Sequence, residues 1–287
     1  MLVTLLLNTF VYPGLAACLL WSGAWWLGGR RPRAGPNAAA MASAYVVTFV
    51  AVQGLPGFPP TASLSWLCYW VPVFALLGWF LAVKPWPALA WSLSTLLTVV
   101  SLYCLLRVTI QYQWNPVHAV LWLVALTAIL QGLRAALDYG SRNLDEGSAQ
   151  WLFQGALLFA LGTLALSLGA SGSIKLAQFA GALAVVFSVY TLFRFVHRCA
   201  PLHRGGSTPL SFTYLGLLIN GYFYSELPPS SACLLILCPL IPLVLILPAL
   251  RQRSLPVRLA CLALALILCG GLAVVIAATS GESLDGY

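Results

Sequence analysis

The sequence predicts an all-α protein, a polytopic transmembrane helical bundle, from three observations. Of 287 residues, 61% are Ala, Val, Ile, Leu, Met, Phe, Trp, Tyr or Cys and 7% are charged, whereas an ordinary soluble domain carries about 25% charged residues. Mean hydropathy is +0.93. The apolar residues fall in long runs, which are stable in lipid as helices because each helix satisfies its own backbone hydrogen bonds. The formal net charge of +8, fourteen Lys or Arg against six Asp or Glu, would suggest nucleic acid for a soluble basic domain. The charges form no patch, however, and no nucleic-acid partner is expected.

Ten candidate spans follow in order, at about 2–27, 38–55, 66–83, 86–106, 117–133, 151–170, 174–196, 210–225, 232–250 and 259–279. The first lacks a basic leading region and a persuasive cleavage site before Arg30, so it reads as a retained helix rather than a signal peptide. Cytoplasmic loops keep Lys and Arg more readily than translocated ones. With the amino terminus outside, the connections after odd-numbered spans, with their flanking helix ends, hold Arg30, Arg31, Arg33, Lys84, Arg134, Arg142, Arg194, Arg198, Arg204, Arg251, Arg253 and Arg258. Only Arg107 and Lys175 fall outside. The eighth run is weak, but dropping it would move the Arg251 to Arg258 cluster outside. Ten spans with both termini extracytoplasmic are therefore expected, with eight as the structural alternative, in one integral membrane domain over 1–287. Trp25, Trp26, Trp86, Trp114 and Trp151 stand at proposed boundaries, where an amphipathic indole is favoured.

Within the spans, three- and four-residue steps put polar groups on single helical faces. Ser94, Thr98 and Ser101 share one in the fourth run, and Thr127, Gln131 and Arg134 approach one in the fifth. Gln178, Ser188 and Thr191 lie in the seventh, and Thr213, Gly216, Asn220 and Tyr224 in the eighth. Such amide and hydroxyl groups can replace part of a solute's water shell, although most isolated Ser, Thr and Gln serve interhelical hydrogen bonds. Gln178, Asn220, Thr127 and Gln131 are the ligand-binding candidates. Gly155, Gly162 and Gly169 recur every seven residues and read as close helix packing. Pro72, Pro239, Pro242 and Pro248 predict kinks.

The acidic residues Asp138, Asp145, Glu146, Glu226, Glu282 and Asp285 all fall near or beyond the expected membrane boundaries. The buried carboxylate that would mark cation coupling is therefore not expected. A second candidate cluster lies at the outer side. There Arg107 would hold an anionic headgroup, His118 exchange a proton and Glu226 orient it, although boundary Arg and His commonly snorkel. His197, Cys199 and His203 fall short of a zinc site, and no metal or cofactor is expected. The eight cysteines lie mostly in apolar runs, as small structural hydrophobes. No Walker, HExxH, GxSxG or dinucleotide motif occurs in a suitable context.

A chain devoted almost wholly to crossing the membrane, with kinks and neutral polar faces, points first to a small polar-molecule permease working by alternating access. The alternatives are a membrane-embedded enzyme acting at a lipid headgroup and a structural or assembly subunit of a membrane complex. Membrane lipid, a small polar solute and a membrane-protein partner are the corresponding partners, and transport is favoured over catalysis.

Overall fold

The computed structural model describes residues 6–28, 35–83, 87–144, 147–197, 201–203 and 205–282. Among them every regular element is helical and there is no strand. A π-helical turn, Leu7–Val11, leads into α1 (Tyr12–Gly28). It is followed by α2 (Gly35–Gln53), α3 (Ser63–Val83), α4 (Pro87–Tyr112), α5 (Pro116–Asn143), α6 (Gly147–Ala170), α7 (Ile174–His197) and α8 (Ser207–Tyr224). The ninth rod is α9 (Pro229–Leu237) continued as a 3-10 helix (Cys238–Ile246), then one helical turn, Pro248–Arg251, and α10 (Leu255–Glu282). Each of the ten apolar runs thus contains a helical rod. Arg30, Arg31, Arg33, Lys84, Asp145, Glu146, Arg198, Cys199, Arg204 and Asp285 lie outside the described residues.

Seven of these rods, α3 to α7, α9 with its continuation, and α10, are long and apolar enough to cross a bilayer. At about 1.5 Å per residue, the 21 residues of α3 reach about 30 Å, the thickness of a hydrocarbon core. This makes the chain a multi-pass helical membrane protein. Its outer faces suit lipid. Leu264, Ile267, Leu268, Leu272 and Val275 of α10 are all exposed.

Side-chain neighbours set the directions of the rods. Trp21 of α1 and Tyr190 of α7 have ring centroids 6.0 Å apart, and Thr9 and Gly14 approach Gly181 and Val185, so α1 and α7 run parallel. Ser207, at the start of α8, touches Asp138 near the end of α5, while Tyr224, at the end of α8, reaches Leu105 and Thr109 near the end of α4. Hence α8 is antiparallel to α5 and parallel to α4. One end of the bundle therefore gathers Arg134, Arg142 and His203, and is called here the basic end. The opposite end carries Trp114 and His118. There Asn115 caps α5, its Oδ1 accepting the His118 N–H at 2.8 Å with Pro116 in the first turn, which satisfies a donor that the helix start leaves open.

The element that organises the bundle is α8. Every residue from Ser207 to Gly221 is buried, and the helix touches α2 through α7 and α9. This explains the weak eighth run. A helix shielded from lipid on all sides needs no apolar perimeter, so Ser207, Thr208, Ser211, Thr213 and Asn220 are accommodated within it. Its entrance is tight. Gly205 has φ +100°, a backbone state open to glycine, and its carbonyl oxygen lies against the place a Cβ on Gly78 of α3 would occupy. Phe74 of α3 and Phe212 stack at 4.0 Å between centroids.

The expected glycine packing is found elsewhere than in the Gly155, Gly162, Gly169 series. A Cβ at Gly155 or Gly162 would meet nothing within 4 Å, and one at Gly169 would make only ordinary contact with Ala177. The close approaches are at Gly78, Gly140, Gly181, Gly205, Gly216, Gly221 and Gly270. The expected proline effects are clear at Pro239 and Pro242, where missing N–H groups and ring clashes tighten the rod into nine residues of 3-10 helix. Pro72 stays inside a continuous α3.

Candidate functional site

The polar faces of α4 and α5 meet. Ser94, Thr98 and Ser101 are all at or below 1% exposure, and Gln131 spans two of them, its Nε2 donating to Ser94 Oγ at 3.0 Å and to Thr98 Oγ1 at 3.1 Å. One turn further along α5, the Arg134 guanidinium donates to the same Ser94 hydroxyl and lies 5.8 Å from the Trp91 ring centroid. The hydroxyl and the indole face thus stabilise a partly buried cation. One turn beyond, Asp138 accepts a hydrogen bond from Ser207 Oγ at the start of α8. Ser141 accepts the His203 backbone N–H at 3.1 Å, and its hydroxyl lies 3.2 Å from His203 Nδ1. These bonds fix the short segment before α8 against α5.

Around this polar seam lies a partly open cavity of about 510 Å³, within the size range of pockets that hold small organic molecules. Leu81, Ala82 and Trp91 form apolar walls, Arg134, Asp138 and Arg142 project from α5, and His203, Ser207 and Thr208 close the side toward α8. Two guanidinium groups face one carboxylate. The amino-terminal end of α8 adds the positive end of its dipole, so the cavity favours negative charge.

Of the ligand-binding candidates, Gln131 joins this seam. Thr127, one turn deeper in α5, is 9% exposed and its hydroxyl has no hydrogen-bond partner. Asn220 is 2% exposed and donates from Nδ2 to Gly216 O at 2.8 Å within its own helix. Gln178 is half-buried near the opposite end of α7. None of the four candidates lines the cavity itself; Gln131 reaches it only through Ser94 and Arg134. In the outer-side cluster, Arg107, His118 and Glu226 are all exposed. His118 Nδ1 lies 2.9 Å from Asn115 Oδ1, and Glu226 has φ 54° just past the end of α8. Of the possible zinc group, Cys199 lies outside the described residues. Among the described residues no three His, Cys, Asp or Glu gather as a metal site.

None of the residues that line the cavity, Trp91, Arg134, Asp138, Arg142, His203 and Ser207 among them, was singled out for binding by the sequence. A signal for Asp138 was present. The steps Gln131, Arg134, Asp138 continue the polar face past the end of the apolar run, and α5 extends to Asn143 instead of stopping near Leu133. The Ser207 to Asp138 contact spans 69 residues of sequence and left no local mark. No protein-family model matches the chain, and no curated protein or solved structure was found to match it.

Proposed function

We propose that the chain is a permease for a small polar solute, entered from the basic-end cavity and worked by alternating access across ten spans with both termini outside. The observation that carries this reading is the polar file leading from the cavity into the bundle. Arg134, Ser94, Gln131 and Thr98 are hydrogen-bonded in sequence, and the file points along α5 to the unpaired hydroxyl of Thr127. A buried hydroxyl without a partner is uncommon and costs stability. It is well used if a passing solute supplies the missing hydrogen bond.

In this reading Gln131 and Thr127 touch the solute in mid-passage, and Asn220 and Gln178 meet it toward the opposite end. The rod formed by α9 and its 3-10 continuation supplies a movable element, since its proline-broken hydrogen bonds let it bend at low cost. The test is flux in liposomes containing the purified full chain, against a panel of anionic, neutral and cationic solutes. At least one solute is expected to equilibrate faster than in protein-free vesicles. Gln131→Leu is expected to slow that solute at least about tenfold in protein that still folds, with a stability loss of about 1–3 kcal/mol from the two lost bonds to α4. Absence of flux across the panel from folded protein overturns the reading.

A further inference from the structure

We propose that the basic-end cavity binds an organic monoanion, and that Asp138 is the built-in anion this solute displaces, so that solute and proton enter the site together. The inference deepens the permease reading and rests on it for the idea that the occupant moves on. Its geometry stands on the cavity alone.

Ser207 Oγ is given to Asp138, and both Arg134 and Arg142 stand on the same helix as that carboxylate, four residues to either side and on the same cavity wall. An incoming carboxylate or sulfonate finds its complementary groups in these cations and in the Ser207 and Thr208 hydroxyls. Asp138 already holds part of that set. Two ionised carboxylates, or a carboxylate and a sulfonate, sharing one partly desolvated site repel strongly. Protonating Asp138 removes the conflict, and the cavity then carries the same formal charge loaded as empty. The neutral acid also becomes a donor, adding a hydrogen bond to the solute where there had been a competitor.

Of Asp138 and His203, both in the cavity wall, Asp138 is assigned the proton exchange because only its carboxylate competes with an anion for the Ser207 hydroxyl. On α5 its ionisable neighbours are Arg134, Arg142 and Tyr139, and from the segment before α8 comes His203, whose Nδ1 lies 3.2 Å from Ser141 Oγ. The cavity walls from α3 and α4 present Gly78, Leu81, Ala82 and Trp91, none of them ionisable. The α9 continuation brings apolar Leu243 against α5 at Gly140. Lys84, Asp145, Glu146 and Arg204 lie outside the described residues. Those apolar walls and the volume of about 510 Å³ fit a solute with an organic body rather than a bare inorganic ion.

The experiment measures binding of benzenesulfonate and benzoate to the full chain in zwitterionic nanodiscs, by calorimetry in buffers of different ionisation enthalpy. Benzenesulfonate does not titrate near neutral pH, so any proton taken up goes to the protein. The expected result is uptake of close to one proton per benzenesulfonate, with Kd rising nearly tenfold per pH unit wherever the empty site holds Asp138 ionised. Asp138→Asn is expected to abolish the proton uptake and flatten the pH dependence while keeping binding. Arg134→Gln is expected to weaken binding at least about tenfold, and benzyl alcohol to bind neither variant nor wild type in this way. Replacing part of the lipid by phosphatidylglycerol separates a soluble anion from a lipid headgroup as the source: displacement of the probe assigns the oxyanion to a headgroup, undisturbed binding to a soluble solute. The proposal is overturned if folded wild type binds neither probe, or if binding that needs Arg134 takes up no proton, or if His203→Gln rather than Asp138→Asn removes the uptake. Flux without this proton-linked binding leaves the permease standing without the exchange. Binding without flux for any solute does the reverse.

Discussion

Arg134 shows how one cation is kept at the edge of an apolar bundle. Its charge is shared between the Ser94 hydroxyl, which also serves Gln131, and the face of Trp91 at 5.8 Å. Neither of these two partners is charged, and the nearby Asp138 carboxylate takes its hydrogen bond from Ser207, so the guanidinium keeps donors for a solute. An indole attracts a cation by about 0.5–1 kcal/mol at exposed sites and more when desolvated, and Arg outperforms Lys in stacking because its group is planar. A double-mutant cycle between Trp91→Leu and Arg134→Gln, read from unfolding free energies in detergent, is expected to give a coupling of about 0.5–1 kcal/mol. Strict additivity of the two substitutions would show that the stacked arrangement contributes nothing.

At the scale of elements, α8 is held by close approach more than by side-chain bulk. A Cβ on Gly78 would strike the Gly205 carbonyl oxygen, a backbone atom that cannot swing aside. Gly78→Ala is therefore expected to destabilise the protein by about 1–3 kcal/mol, the range for overpacked interiors. Gly162→Ala, with nothing within 4 Å, is expected to be neutral or to stabilise by up to about 1 kcal/mol through lost chain entropy. Thermal unfolding of the pair checks both, and equal melting temperatures would contradict this packing. The contrast also marks what the sequence can show. Hydropathy runs reveal each helix, because lipid imposes composition on the faces it touches. They understate α8, which is buried on all sides, and they stop α5 short at Leu133 because Arg134, Asp138 and Arg142 read as a loop when they line a partly open cavity from a continuing helix. The faces Ser94, Thr98 and Gln131, Arg134 are each visible by spacing. Their pairing is a tertiary event, as is the union of Asp138 with Ser207, and neither leaves a local pattern.

For the whole molecule, the contacts that make α1 parallel to α7 and α8 parallel to α4 and antiparallel to α5 are those that the proposed ten-span topology requires. Arg134 and Arg142 line a cavity at the basic end, so in the proposed topology two of the charges expected on the cytoplasmic side also line the candidate site. The decisive element is again α8. If it crosses, the chain beyond Tyr224 emerges opposite the cavity and the next connection returns to the cavity side. Single cysteines at Asn143, Glu226 and Gln252, all exposed, placed in a chain whose eight native cysteines are replaced, separate the possibilities through labelling by a membrane-impermeant maleimide in oriented vesicles. Asn143→Cys and Gln252→Cys are expected to label from the cytoplasmic face and Glu226→Cys from the outer face. If α8 instead folds back without crossing, Glu226→Cys and Gln252→Cys exchange faces while Asn143→Cys does not. That pattern would leave Ser207 and Asp138 in contact but place the second half of the proposed path on the wrong side of the membrane, ending the permease mechanism while preserving the cavity.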